Sequence, residues 1–440
     1  MKTKLDEIAA KARKETKLVF TSLAHHITKE LVWNSLNNIP NNSAPGVDGI
    51  DVSTAKKDFP IWIDKMIQSV HNQGYKAPPV KRVWIPKPGK TEKRPLGIPC
   101  MADKALQRST SIVLSAIYEQ DFLPCSFGGR PKLSAHNALS TLNEIISEKK
   151  VGWVYEADLK NFFGSLNHEW IIRFVKHRVQ DPRILSLIQR WLKAGVLEND
   201  QLQHTEYGTP QGGSVSVLIS NIYLHYVLDL WFAKVVKRKL RGEAYLIRYI
   251  DDFLVCFQYR SDAYQFQDAL KLRLAKFSLV LEPNKTQLVE FGRFAQKHAK
   301  ERGEKTGTIY FLGFTHYCSR TSKGNFMVGR KTEKSRLRRS IEKLTKLMRE
   351  VRHYRIREQA MKINQVLIGH YNYYGMGGNY QSLDRIYNHT QKYWRRMLNS
   401  RSRKSYVSWD KFELIKKRNP LQKPKLIIPF SKMRAYATVL

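Results

Sequence analysis

The chain has 440 residues, of which 42% are hydrophobic, a share that allows a sizeable core and excludes wholesale disorder. Lysine and arginine total 76 against 38 aspartate and glutamate, so the formal net charge of +38 favours a polyanionic partner such as nucleic acid. The four cysteines include no Cys-x-x-Cys pair, which excludes a zinc site built on such pairs and gives no indication of a disulfide framework.

The N-terminal region is predicted to be helical. Apolar residues at helical spacing indicate one helix near the start and a second from about Leu23 to Leu36. Residues 41–51 are rich in Asn, Ser, Pro and Gly, as turns are. The first twenty residues lack the apolar stretch of a signal peptide, and no run approaches the ~20 apolar residues of a membrane span. We therefore expect a soluble intracellular protein without membrane contact.

A basic β-hairpin is predicted over residues 77–99. VKRVWI alternates as a strand does, a Gly- and Pro-containing turn follows, and PLGIP resumes the apolar pattern. Lys87 and Arg94 in this turn suit a bound triphosphate, although a solvated lysine-rich turn has the same composition. The GKT at 89–91 is not a phosphate-binding loop, because position 84, where that motif requires glycine, is tryptophan.

The middle of the chain alternates helices and strands. Two amphipathic helices are predicted within residues 101–150, on either side of FGGRP at 127–131. A strand then ends at Asp158, and an acidic residue that closes an apolar strand indicates a chemical role. Further on, small residues in GGSVS at 212–216 open a strongly apolar helix and would allow close approach of a ligand or backbone.

Asp251 and Asp252 lie between two strand-like runs, AYLIRY and FLVCF, which predicts a tight hairpin with an acidic two-residue step. Adjacent carboxylates repel each other, so we expect a compensating Arg248, lysine or divalent metal, unless the pair is a solvated turn. A sheet with crossover helices can bring Asp158 beside them. Three carboxylates at one sheet edge would bind two Mg²⁺ ions.

These parts together describe a template-directed polymerase. Two metal ions ~3.5–4 Å apart can activate a primer hydroxyl and stabilise the leaving pyrophosphate, so catalysis would consist mainly of positioning and charge neutralisation. Residues 330–404 add 20 Lys and Arg against 5 Asp and Glu, with helical periodicity and interleaved aromatics. This pattern favours a nucleic-acid surface over a solvated basic helix.

In this combination the chain resembles reverse transcriptases of the group II intron class over roughly residues 40–400. The motifs occur in family order: SAPGVDGI, IPKPGKTEKRPLGIP, GGRPKLSAHNAL, ADLKNFFGSLNH, GTPQGGSVSVLISNIYL, YIDD, LEPNKT and FLGF. The resemblance implies an α+β fold of right-hand polymerase type. We expect an N-terminal extension (1–60), fingers and a palm with a ferredoxin-like antiparallel sheet (61–329), an all-helical, maturase-like thumb (330–405) and a C-terminal tail (406–440).

The resemblance also implies roles for individual residues. The catalytic and metal-binding carboxylates would be Asp158, Asp251 and Asp252, holding two Mg²⁺ ions for which Mn²⁺ can substitute. Lys285 would lie near the pyrophosphate as a general acid. Phe163 would stack under the sugar and exclude a 2′-hydroxyl. The remaining implied contacts are Lys87, Arg94 and Gln211 for the nucleotide, Tyr249 and Ile250 for the primer terminus, and Arg130 for the template.

Three features depart from the family pattern. Ile250 replaces the alanine of the usual Tyr-Ala-Asp-Asp box, and its β-branched side chain is stiff; the intron-free group II intron-like lineage resembles this chain there. Gly129 stands where the family usually has phenylalanine, beside Arg130. The chain carries no Cys- and His-rich endonuclease module, so we do not expect it to cleave a DNA target.

The leading hypothesis is an RNA-directed DNA polymerase that adds dNTPs to RNA and DNA template–primer duplexes. The intron-free lineage and Ile250 indicate a host role in DNA double-strand break repair, by annealing of short complementary (microhomology) ends. The alternative is an RNA-binding maturase, a splicing cofactor for a group II intron. An RNA-directed RNA polymerase is opposed by Phe163. We expect the protein in the bacterial cytoplasm, associated with the nucleoid through nucleic acid.

Overall fold

The structure is a computed structural model that describes residues 2–86, 92–198, 201–203, 207–208, 213–402, 406–438 and 440. The described helices are α1 Lys2–Lys14, α2 Lys29–Asn37, α3 Val52–Lys57, α4 Phe59–His71, α5 Met101–Asp121, α6 Ala135–Glu148, α7 Phe162–Ser165, α8 His168–Lys176, α9 Pro182–Lys193, α10 Ser214–Leu224, α11 Arg260–Ala275, α12 Ala295–Glu301, α13 Lys334–Glu350, α14 Ile356–Tyr374, α15 Tyr380–Asn399, α16 Trp409–Arg418 and α17 Phe430–Tyr436. Short 3-10 turns lie at Ala24–His26 and Pro283–Lys285, and π-helical turns at His225–Asp229 and Phe232–Val236.

The described strands form three sheets in an α+β fold. They are β1 Val80–Pro86, β2 Lys93–Ile98, β3 Trp153–Ala157, β4 Val196–Glu198, β5 Gln201–Gln203, β6 Ala244–Tyr249, β7 Asp252–Phe257, β8 Gln287–Glu290, β9 Thr308–Phe311, β10 Phe314–Arg320 and β11 Phe326–Thr332. Their orders are β2-β1-β4-β5, β6-β7-β3-β8 and β11-β10-β9. The predicted basic hairpin is confirmed as the antiparallel pair β1–β2, and its turn at 87–91 lies outside the described residues.

The sheet β6-β7-β3-β8 is antiparallel throughout and organises the centre of the molecule. Helices connect β3 to the β6–β7 hairpin and β7 to β8, which gives the β-α-β-β-α-β connectivity and strand order of a ferredoxin-like sheet. This agrees with the sheet expected for the palm. Strand β7 is a continuous apolar run because other elements of the fold cover both faces of this sheet.

Two cores meet at strand β7. Its alternate residues Phe253, Val255 and Phe257 point into the first core, which also receives side chains from α1, α2, α5 and α8–α11. Leu254 and Cys256 point into the second core, with side chains from α6, β9–β11 and α17. Side chains alternate between the faces of a strand, so a strand between two layers must be apolar at every position.

The first residues of the chain are tied into the first core. Asp181 is the N-cap residue of helix α9. Its carboxylate accepts hydrogen bonds from the backbone N–H groups of Leu23 (2.6 Å) and Ala24 (2.8 Å). The buried Arg178 guanidinium donates to the carbonyl oxygen of Ala12 (3.0 Å). Described residues 2–60 therefore pack as part of the same body as α5 and α9, while the predicted domain boundary at residue 60 stays a prediction.

The helices after β11 build a third core from α13, α14, α15 and α16, centred on the fully buried Trp394. The chain after residue 405 contains two helices, α16 and α17, although its sequence gives no strong signal. Phe412 of α16 lies in the third core, whereas Ile428 and Met433 lie in the second core. The chain after residue 405 therefore joins the helical region to the central sheet.

One helical stretch among the described residues, Ser214–Val236, is long and apolar enough to cross a membrane by length and composition. The sequence expectation that no run approaches this length therefore needs correction. The fold itself buries 78% of the apolar window, as the core helix of a soluble protein would be buried. It packs against α5 and α8 in the first core.

Candidate active site

The acidic hairpin is present, but its turn lies one residue earlier than predicted. Tyr249 pairs with Asp252, so the two turn residues are Ile250 and Asp251, and Asp252 begins strand β7. The register is fixed by burial, since a slip of one residue would exchange the β7 side chains between the first and second cores. Asp251 therefore sits at the tip, and Asp252 is held by the sheet.

The sheet brings Asp158 to the same edge as this hairpin. Asp158 follows β3 directly, and the last residue of β3, Ala157, pairs with Phe253 of β7. Asp251 and Asp158 lie close enough to Asp252 for their charges to raise its pKa, and the charge of Asp158 acts on Asp251 as well. Three carboxylates separated by up to 94 positions in sequence thus meet at one sheet edge.

Crowding of these carboxylates changes their protonation. Loss of hydration, followed by the charges of Asp251 and Asp158, raises the pKa of Asp252 to about 7. The Asp252 side chain reaches solvent, but protein surrounds it densely enough for this effect. Loss of hydration also raises the pKa of Asp251, with a further contribution from Asp158. The cluster therefore requires cationic compensation to be fully ionised at neutral pH.

Lys285 is the described cation that engages the cluster directly. Its Nζ donates to Asp158 Oδ2, and the backbone N–H of Glu282 donates to the Asp158 carbonyl oxygen (2.8 Å), which fixes the 3-10 turn Pro283–Lys285 beside the sheet. Burial alone would lower the pKa of Lys285, but the bond to Asp158 and the nearby carboxylates raise it. Lys285 therefore stays protonated beside the carboxylates, whereas Arg248 pairs with a different aspartate, Asp229.

The predicted nucleotide-binding residues are only partly described. Arg94, on the exposed start of β2, lies close enough for its charge to oppose the rise in the pKa of Asp251. Phe163 is half-buried in α7, the helix that follows β3 directly, and its ring meets Phe162 edge-on. Lys87 and Gln211 lie outside the described residues. The charge of Arg94 thus acts on the carboxylate cluster, and contact of Arg94 and of the other nucleotide-set residues with a nucleotide stays a prediction.

The residues predicted at the primer and template differ in how free they are. Tyr249 and Ile250 are half-buried on the hairpin, with Tyr249 against the second core. The guanidinium of Arg130 donates to Glu119 (2.9 Å) and to the carbonyl oxygens of Leu123 (3.0 Å) and Ser126 (2.8 Å). These bonds commit Arg130 to its own loop, and contact with a template stays a prediction.

The carboxylate cluster has the donor chemistry of a divalent-cation site, because Mg²⁺ and Mn²⁺ prefer oxygen ligands. Within the described residues, no group of three or more His, Cys, Asp or Glu side chains is already arranged to hold a metal ion. Asp158 is engaged by Lys285 and by Asp252, which accounts for this difference from the expectation. An ion would have to take over the place of these contacts.

Sequence reasoning missed the aromatic residues that the helical region contributes here. Tyr373 of α14 lies near Tyr249 and Asp252, whose charges add to the effect of burial that raises its pKa to about 12. Its hydroxyl donates to the carbonyl oxygen of Leu312 (3.0 Å). The aromatic run GHYNYYG was visible in the sequence as a general nucleic-acid signal. Its place beside the acidic hairpin depends on packing between α14 and β9–β10.

A family model described as "Reverse transcriptase (RNA-dependent DNA polymerase)" matches residues 85–316, which is more than half of the chain. The chain belongs to the reverse transcriptase family. The range shared with this reverse transcriptase family model includes the cluster of Asp158, Asp251, Asp252 and Lys285. It ends before the helices α13–α15.

Relatives of this reverse transcriptase family member include group II intron proteins. The chain is 36% identical over 231 residues to the group II intron-encoded protein LtrA of Lactococcus lactis subsp. cremoris, which covers 51% of this chain and 38% of LtrA. It is 33% identical over 184 residues to protein YkfC of Escherichia coli (strain K12), covering 41% and 48%. It is 22% identical over 180 residues to nuclear intron maturase 3, mitochondrial, of Arabidopsis thaliana, covering 36% and 25%. The chain therefore matches less than half the length of each of these relatives.

Proposed function

We propose that this protein is an RNA-directed DNA polymerase of the group II intron class that adds dNTPs to a primer and also copies DNA templates. The observation that carries the proposal is the meeting of Asp158, Asp251 and Asp252 at one sheet edge, with Lys285 beside them. The reverse transcriptase family match spans this cluster and so supports polymerase chemistry there. The positive charge of the chain supports template–primer duplexes as substrates.

The proposed roles follow the geometry. Asp158, Asp251 and Asp252 would hold two Mg²⁺ ions, or Mn²⁺, which when bound supply activation of the primer hydroxyl and charge stabilisation of the leaving group. Lys285 carries a proton at Nζ and is held at the cluster, so it can donate to the departing pyrophosphate. Arg94 supplies fixed positive charge from the β1–β2 hairpin for the triphosphate.

The arrangement of elements supports a right-hand polymerase. In this proposal the β1–β2 hairpin belongs to the fingers, the sheet β6-β7-β3-β8 is the palm, and the helices of residues 330–405 form the thumb. Phe163 would lie under the sugar of the incoming nucleotide and exclude a 2′-hydroxyl. A Phe163→Ala protein that still rejects ribonucleotides would contradict this assignment.

Primer extension on RNA and DNA templates tests the proposal. We expect Mg²⁺-dependent extension by the native chain and a loss of at least about 10³-fold in Asp251→Asn, because the neutral amide cannot replace a carboxylate as a ligand for the metal ions. Asp268→Asn is the matched control, since Asp268 is 80% exposed on α11 and pairs with Lys271 at 3.8 Å. Equal extension by Asp251→Asn and Asp268→Asn would overturn the proposed site.

A second candidate function is that of a maturase, an RNA-binding splicing cofactor. It is favoured by the similarity to LtrA and to nuclear intron maturase 3, and by the basic helical region. The two functions separate in one variant, because RNA binding does not need the carboxylates. Splicing of a group II intron that survives Asp251→Asn, without primer extension by the native chain, would favour the maturase.

We also propose a host role in double-strand break repair, in which the enzyme extends DNA ends joined by short complementary sequences. The support is Ile250, a bulky β-branched residue at the tip of the catalytic hairpin and close to where a primer end would lie. The test compares the native chain with Ile250→Ala on primers held by only a few base pairs. Equal use of such short duplexes by both forms would remove the argument.

A further inference from the structure

The catalytic hairpin has an unusual backbone at its tip. Ile250 has φ of 59°, in the left-handed region, and it is the first of the two turn residues, a position that favours glycine in type II′ turns. A β-branched residue in this region is a rare outlier, and such a conformation persists only when the surrounding structure imposes it. The contacts that impose it can be traced.

The loop Cys125–Arg130 lies alongside β6 and contacts the turn. The backbone N–H of Arg248 donates to the Cys125 carbonyl oxygen (2.8 Å), and the backbone N–H of Phe127 donates to the Arg248 carbonyl oxygen (2.9 Å). The next residue, Gly128, directly abuts the tip. A Cβ built on Gly128 would lie 2.6 Å from both the backbone nitrogen and Cγ1 of Ile250, so no larger residue fits without displacing the turn.

The side chain of Arg248 holds the turn from the other side. It is fully buried, and its Nη1 donates to the carbonyl oxygen of Ile250 (2.9 Å). The rest of the guanidinium is fixed by a bidentate pair with Asp229, through Nε (2.7 Å) and Nη2 (2.6 Å). Bidentate pairing fixes the plane of a guanidinium. Asp229 comes from the π-helical turn His225–Asp229, which aims it at this site.

Asn221 links the two supports. Its Oδ1 accepts from Arg248 Nη1 (2.9 Å), and its Nδ2 donates to the carbonyl oxygen of Gly128 (2.8 Å). Asn221 is buried on α10, and within the described part of the chain its side chain makes these two hydrogen bonds. The Ile250 carbonyl thus accepts from a guanidinium that Asn221 contacts, and the Ile250 nitrogen lies in close approach to Gly128, whose carbonyl Asn221 also contacts.

We propose that Asn221, Arg248 and Gly128 form a brace that holds Ile250 in its left-handed conformation and thereby positions the Asp251 carboxylate for nucleotide addition. The proposal rests on the proposed polymerase function and names positioning residues, because none of the three is placed against the reacting atoms. Asp251 follows Ile250 directly, so a rotation at Ile250 moves its carboxylate relative to Asp158. A displacement of about 1 Å at a reacting centre can cost about 10²-fold in rate.

A matched pair of variants separates positioning from stability. Asn221→Ala and Ser126→Ala each remove one acceptor of the same guanidinium, since Ser126 Oγ accepts from Arg248 Nη2 (2.8 Å), but only Asn221 also holds Gly128. We expect Asn221→Ala to lower kcat for dNTP addition by about 10- to 100-fold with KM for dNTP changed less than about threefold. Ser126→Ala should keep kcat within about threefold of the native value. Its melting temperature should fall by about as much as that of Asn221→Ala.

Two further variants keep the test decisive if Asn221→Ala does not fold. Gly128→Ala should lower kcat because its methyl group pushes the Ile250 backbone, and the loss should be smaller in the Ile250→Gly background, where the turn can retreat. Equal losses in both backgrounds would overturn the brace. If the native protein is active, equal kcat values for Asn221→Ala and Ser126→Ala would also overturn the brace. A wild-type protein that extends no primer would instead sink the proposed function.

Discussion

His225 is buried in the π-helical turn that also carries Asp229. Loss of hydration lowers its pKa from 6.5 to about 4, and the ring faces the charged groups Asp229, Arg248, Arg130 and Lys234. The ring is therefore neutral in the folded protein at neutral pH. In the unfolded chain it binds a proton near pH 6.5, so folding excludes that proton.

This histidine predicts a loss of stability in acid. The stability from His225 is fully present above pH 6.5 and falls as the pH drops from 6.5 towards 4, by up to about 3 kcal/mol. His225→Phe should flatten this part of the pH dependence in chemical denaturation, while the exposed His353→Phe should leave it unchanged. A His225→Phe protein with the native pH slope would contradict the prediction. His370, whose burial also lowers its pKa to about 4, should retain its own share.

At the residue scale, the sequence predicts the groups that do chemistry better than those that hold them. Asp158, Asp251 and Asp252 each break an apolar strand pattern, so local reasoning identifies them. The Arg248–Asp229 pair joins residues 19 positions apart through a π-helical turn that no local pattern indicates. The same applies to Gly128, whose need to be glycine comes from a loop that packs under the hairpin.

The β1–β2 hairpin is the element that presents Arg94 to the carboxylate cluster. Arg94→Ala should raise KM for dNTP about 10-fold with a smaller change in kcat, because a fixed charge is lost from triphosphate binding. Lys81→Ala is the matched control, since Lys81 pairs with Ile98 at the other end of the same hairpin and is exposed. Steady-state kinetics on one template–primer measure both. Equal KM values for the two variants would remove Arg94 from the nucleotide site.

At the element scale, most helices and strands follow from hydrophobic periodicity. The helices predicted on either side of FGGRP are α5 and α6. The register of a hairpin is harder to predict from the sequence than the strands themselves. Two neighbouring turn positions fit the same alternation of side chains, and only burial on both faces of the sheet decides between them. This is why the hairpin tip is Ile250–Asp251 and not the Asp251–Asp252 step of the prediction.

The helical region contains a pocket that is lined by several positively charged side chains. Arg349, Arg352 and Arg396 line an open pocket of about 500 Å³ together with Tyr393, whose hydroxyl accepts from Arg349 (2.6 Å). Guanidinium groups around an aromatic ring suit a phosphate with an adjacent base. The pocket lies at the C-terminal end of α13, about 24 Å along the helix axis from its start beside β11.

Binding to RNA–DNA duplexes should report this pocket through salt dependence. Arg396→Ala should weaken binding on any sequence and reduce the slope of log K against log salt by about 1, because one phosphate contact is lost. Lys271→Ala removes an equal charge from the exposed face of α11 and should leave the slope unchanged. Fluorescence anisotropy across a salt series measures both. A shared slope for the two variants would assign the pocket no phosphate.

At the scale of the molecule, composition predicted the partner class and periodicity predicted the helical region. Neither predicted how the two ends of the chain are used. The N-terminal segment is held through Asp181, more than 150 positions away, and Met433 near the other end packs beneath the central sheet. Such long-range packing depends on tertiary contacts that a single sequence does not display.

Strand β7 contributes side chains to both the first and the second core, and this couples the unfolding of the two cores. Neither core can melt alone, because loss of one exposes the apolar side chains of the strand that closes the other. Scanning calorimetry should therefore record both cores in a single heat-absorption peak, with the Trp394 core free to melt at its own temperature. A resolved peak for each side of β7 would show that this strand does not couple them.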